Sequence, residues 1–176
     1  MTLHTPAQLE ALTGLTVGTQ RAPSWRAHLN GRGQQSKGGH WRFTDQDVLF
    51  VSTVRAIGDK GVDLAVACAA ASMCLEEIVA VITGADPSPF NKCKPFIFVS
   101  SMSDIPIEWM DAPANSEFKE GGRWVHAEKP FTAILTPLRD LNLIPRISTA
   151  GGIVLIPADI ARKIPKAVAD LFLVTP

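Results

Sequence analysis

The chain has 176 residues, an apolar fraction of 46% and a formal net charge of zero, which excludes a disordered or uniformly basic protein and leaves room for one ordinary domain or two small ones. The zero conceals a division: up to Thr44, Arg21, Arg26, Arg32, Lys37 and Arg42 stand against Glu10 alone, a net +4, and the compensating acids are dense from Asp104 to Glu128. No uninterrupted apolar run reaches the roughly 18 to 20 residues of a membrane span, and MTLHTPAQLE lacks the basic stretch and apolar core of a signal peptide, so the expectation is a soluble cytoplasmic protein with no membrane partner.

Thr5-Pro6-Ala7-Gln8 opens the first predicted helix, with Thr5 as cap, Pro6 in the first helical position and Gln8 set to return a capping-box bond. Leu9 and Leu12 share a face, Thr13-Gly14 ends the pattern, and Thr16 caps a second helix after Leu15. Helix, tight turn and helix thus fall within about twenty residues, with Leu9, Leu12, Leu15 and Val17 as a miniature core. Pro23 interrupts the second helix, because proline in a helix interior removes a donor and clashes with the preceding turn. Either that helix ends near Arg21 or it restarts at Ser24.

A Gly- and Lys-bearing stretch from Gly31 to Gly39 leads into the strand-like His40-Trp41-Arg42-Phe43. Thr44 and Asp47 form a second capping signature for a helix through Val48, Val51, Val54 and Ile57 that should end at Gly58 or Gly61. Asp63 caps the next helix, apolar nearly all round from Leu64 to Ile82 apart from Glu76 and Glu77 and stopped by Gly84; such a helix is buried or forms an interface. Asp86-Pro87-Ser88-Pro89 reads as a domain boundary. Beyond it, Phe96 to Ser100, Arg123 to His126, Phe131 to Leu135 and Gly152 to Ile156 read as strands, and Pro157-Ala158-Asp159 starts a helix reaching about Leu173.

The segment from Ala7 to Leu64 resembles the DNA-binding region of MerR-type regulators. The resemblance rests on Leu9 and Leu12, Thr13-Gly14-Leu15-Thr16, Val17 to Arg21, Gly39-His40-Trp41-Arg42-Phe43, Thr44-Asp45-Gln46-Asp47-Val48, Arg55-Ala56-Ile57 and Gly61-Val62-Asp63-Leu64, in that order. Phage excisionases and small terminase subunits carry similarly built winged domains. The fold class it implies is a mostly α N-terminal winged helix-turn-helix domain, residues 1–84 with trailing helices, followed by a small α+β C-terminal module, residues 85–176. Members of the family commonly dimerise through a long helix after the fourth, and nothing beyond Gly84 reads as one.

In such a domain the start of the recognition helix meets base edges, which assigns Thr16, Thr19, Gln20 and Arg21 to readout. Arg26, Arg32, Lys37, His40 and Arg42, on the wing and its approach, are assigned to the DNA surface, the cations as phosphate contacts. Strand alternation turns one of His40 and Trp41 inward, and a packing Trp41 fits that role. Cys68, Cys74 and Cys93 are odd in number and lack C-x-x-C spacing, and no histidine has a spaced partner for zinc, so neither a disulfide framework nor a metal site is expected. Asp104, Glu108 and Asp111 read as a solvated loop. No nucleophile elbow, phosphate loop or paired His and Cys arrangement is present, so no catalytic residue and no cofactor are assigned. The sequence therefore points to a DNA-binding transcriptional regulator of bacterial or phage type, expected as a homodimer on double-stranded DNA, with a small-molecule or protein partner for the C-terminal module. The alternative is a DNA-packaging or recombination accessory protein using the same winged domain.

Overall fold

The computed structural model describes residues 2–29, 32–85, 95–101, 123–128, 131–137 and 152–173. The described part is α-rich, with a small three-stranded antiparallel sheet among its first helices. Strand β1 (Leu3–His4) precedes helix α1 (Pro6–Thr13), which has the full capping box between Thr5 and Gln8 and ends on Gly14 at φ 70°. Helix α2 (Val17–Arg21) is capped by the Thr16 hydroxyl, and α3 (Pro23–His28) follows directly. The first of the two expected outcomes holds, the helix ending at Arg21, and Pro23 is itself the first residue of a new helix, where its missing N–H would have had no intrahelical partner.

Strands β2 (Gln34–Gln35) and β3 (Trp41–Thr44) form a hairpin, and β1 joins the other edge of β3 to give the order β1-β3-β2. Helix α4 (Asp45–Gly58) starts on the Thr44–Asp47 capping box. Helix α5 (Leu64–Thr83) starts on the Asp63 side chain and ends at Gly84 with φ 69°. Each of these boundaries follows from a side chain or a glycine within four residues of the helix end, which is why they are readable locally.

A second sheet contains β4 (Pro95–Ser101), β5 (Arg123–Glu128), β6 (Phe131–Pro137) and β7 (Gly152–Leu155) in the order β5-β6-β4-β7, antiparallel throughout. The expected single helix from Pro157 to about Leu173 is instead two short ones, α6 (Pro157–Ala161) and α7 (Lys166–Ala169). Pro165 supplies the reason: it lacks the N–H that a continuous helix would need there. The turn at Asp86 to Pro89 and the acidic loop of Asp104, Glu108 and Asp111 lie outside the described residues. Among the described residues, nothing after Gly84 is a long helix.

The expected division at residue 85 does not separate two cores. Helix α5 packs against α4, α6, β5 and β6, and α4 also packs against α6 and α7. One apolar cluster runs from Leu9, Phe43, Phe50 and Ile57 through Ala70 and Ile78 to Leu155, Ile160, Ile164 and Val168. Each fully buried large side chain in it contributes about 1.5–3 kcal/mol, so the last elements of the chain stabilise the first. Over an 18-residue window helix α5 has the length and apolar composition of a membrane span. The expectation of no uninterrupted apolar run of that length stands, because Ser72, Glu76 and Glu77 break a run whose average tolerates them. In this fold 56% of that window is buried by the protein's own elements.

Candidate nucleic-acid interface

The α1–α2 pair is held by contacts that reach across the turn. The Glu10 carboxylate accepts from Val17 N at 3.0 Å, so the one acid of the basic segment is committed to the start of α2. The Arg55 guanidinium, from α4, donates Nη1 to the Thr13 carbonyl at the end of α1, one of the acceptors a helix C-terminus leaves over. Gly14 is required for its left-handed φ of 70°, and a Cβ there would also have to displace that guanidinium.

Gln20 is the first correction to the expected site. It is 1% exposed, and its Nε2 donates to Pro6 O at 2.9 Å and to Leu15 O at 2.8 Å. Its amide clamps α2 against α1 and is turned away from the surface that would meet DNA. The expected core position Val17, itself half-exposed, stands three residues before Gln20 on the same helix face. Thr16 is exposed and Thr19 half-exposed, their hydroxyls 2.9 Å apart, and Arg21 is exposed in the last turn of α2.

Arg26 lies with its guanidinium carbon 3.6 Å from the centroid of the Trp41 ring, a cation–π contact that joins α3 to β3. Partial burial, and then the field of the neighbouring Arg21, lower its pKa from the ordinary arginine value. The two cations are therefore close in space, and Arg26 Nη1 is buried with no hydrogen-bond partner among the described residues. Trp41 is half-buried and His40 exposed, as strand alternation requires.

Arg32 is the second correction. Its guanidinium carbon sits 4.0 Å from the Phe50 ring centroid and Nη1 is 3.9 Å from the Asp47 carboxylate. Burial lowers its pKa and the Asp47 charge opposes that shift. The side chain is thus committed to the base of the hairpin and not to a solvent-facing row of cations. Asp47 is the hub there: its carboxylate accepts from Thr44 N at 2.8 Å to close the capping box and from Gly33 N at 3.3 Å. Lys37 is exposed between β2 and β3, in a turn closed by Gly39 N donating to Ser36 O at 2.8 Å. Arg42 is half-buried and donates Nη1 to its neighbour's Trp41 carbonyl at 3.0 Å.

Sequence reasoning missed β1 and the 2.8 Å contact of His4 Nε2 with Asp45, which ties the first strand to the start of α4. A two-residue strand carries no periodicity to detect. No protein-family model matches the chain, and no curated protein matches it either.

Proposed function

We propose that residues 5–65 are a winged helix-turn-helix of the MerR type, that they bind double-stranded DNA, and that the chain is a sequence-specific transcriptional regulator. The observation that carries the reading is what remains after the structural ties are subtracted. A helix–turn–helix and an adjacent antiparallel hairpin leave Arg21, Lys37 and His40 exposed, with Arg26 and Arg42 half-buried against Trp41 beside them, while Glu10, the one acid before Asp45, is occupied by Val17 N.

On this reading α2 enters the major groove and Thr16, Thr19 and Arg21 meet base edges, Arg21 being suited to bidentate pairing with guanine. Gln20 takes no part, and Arg32 supports the wing from below. Lys37, His40 and Arg42 lie along the wing and serve register and affinity through phosphates. Because α2 has only five residues, one copy reads a short half-site, and a homodimer on a two-fold symmetric site is part of the proposal.

Selection of bound sequences from random double-stranded DNA at stated salt tests it. Arg21→Ala should weaken the selected site by about tenfold or more, the lower range for one bidentate base contact, with a smaller effect on random DNA. Lys37→Ala should weaken all sequences alike and reduce the salt slope by about one. Equal losses for Arg21→Ala on both DNAs would remove specific readout, and no enrichment together with no salt-dependent binding would remove the DNA reading altogether.

A further inference from the structure

A cavity of about 190 Å³ opens where the end of α1, the second half of α4 and the joint between α6 and α7 meet. Two cations line it, Arg55 and Lys163, with one carboxylate, Asp59, and the short apolar surfaces of Ala56 and Pro165. Arg55 is held in place by donating one N–H to the Thr13 carbonyl, and a guanidinium has four more to offer. Ser52 also lines the cavity. It is 4% exposed, and its Oγ has no hydrogen-bond partner among the described residues. A buried mid-helix hydroxyl ordinarily bonds back to a carbonyl of the preceding turn, and one that does not is costly to keep.

We infer that this cavity is a binding site for a small organic carboxylate. The lining carries one more positive than negative charge, which matches a monoanion, and Asp59 opposes a second negative charge on the ligand, which disfavours phosphate and sulfate. Arg55, Lys163 and the Ser52 hydroxyl are donors of the kind a carboxylate accepts, and charge-assisted hydrogen bonds are the strong ones. Ala56 and Pro165 receive a short aliphatic tail. The volume is below the roughly 300 Å³ at which sites for drug-sized ligands begin, so the ligand has only a few heavy atoms. Since the walls come from residues 13, 52–59 and 163–165, the bound anion fastens the α6–α7 joint to the α1–α4 corner. The site does not depend on the DNA reading.

Calorimetric titration of the full chain with sodium propionate, and separately with sodium phosphate, at constant ionic strength tests the inference. Saturable binding of one propionate per chain, tighter than phosphate, is expected. Lys163→Gln should weaken it about tenfold and Ser52→Ala roughly fivefold, the range for losing one hydrogen bond. Lys163 is exposed and the Ser52 hydroxyl is unpartnered among the described residues, so both variants should keep the wild-type circular dichroism spectrum and neither should lower the urea midpoint. Absence of saturable propionate binding, unchanged affinity in both variants, or tighter binding of phosphate than of propionate would each overturn it.

Discussion

Replacing Gln20 by alanine separates a structural residue from a DNA-reading one. The substitution removes two hydrogen bonds, to Pro6 O and Leu15 O, each with a net worth of about 0.5–1.5 kcal/mol. It also removes one buried methylene, worth about 0.8 kcal/mol. Against this, Gln20 Oε1 is itself buried without a partner among the described residues, and its removal returns part of that cost. The net loss should be about 2–3 kcal/mol. For a chain of this size that lowers the melting temperature by about 4–12 °C, while Arg21→Ala, at an exposed neighbour, should stay within about 0.5 kcal/mol of wild type. Urea denaturation followed by circular dichroism measures both. Gln20→Glu should be worse at neutral pH, because a carboxylate would face two carbonyl oxygens. The reasoning fails if Gln20→Ala leaves the urea midpoint unchanged and instead abolishes binding to a selected DNA site, since the amide would then have to point outward.

Gly14→Ala and Gly14→Asn should both destabilise the fold, by about 1–2 kcal/mol for the alanine backbone strain alone. Asparagine tolerates the left-handed region, so recovery in Gly14→Asn would show that crowding against Arg55 is unimportant. Asp47→Ala should cost about 2–3 kcal/mol, from the lost cap and the Thr44 and Gly33 amides, and native-state hydrogen exchange at those two amides should speed up. Asp47→Asn, which keeps an acceptor, should lose less. The Cys74 thiol is fully buried, and desolvation, with Glu77 adding to it, pushes its pKa well above the ordinary thiol range. Above about pH 8.5 the unfolded chain ionises this thiol and the folded chain does not, so its contribution to stability is intact below that pH and falls by about 1.4 kcal/mol per unit above it. Cys74→Ala should flatten the alkaline limb of the stability curve relative to wild type, and an identical limb would count against the buried thiol.

The helix ends were legible because caps are local. Thr5 with Gln8, Thr44 with Asp47, Thr16, Asp63 and Gly84 each act within a few residues of the boundary they set, and the same holds for the basic charge of the first 44 residues and for the strands at Phe96, Arg123, Phe131 and Gly152. What a given polar side chain does depended instead on partners far away in the chain. Gln20 reads as a surface glutamine until α2 folds onto the Pro6 carbonyl, and Arg32 as a wing cation until Phe50 and Asp47 come under it. Arg55 meets Thr13 across 42 positions, and Lys163 meets Ser52 across a cavity. The apolar cluster crosses the boundary expected at residue 85 for the same reason: proline and glycine mark where the backbone turns, but only packing decides that Leu155, Ile160 and Val168 enter the core built by α4 and α5. Local sequence sets propensities over a turn or two of helix, whereas burial and pairing are properties of the whole fold.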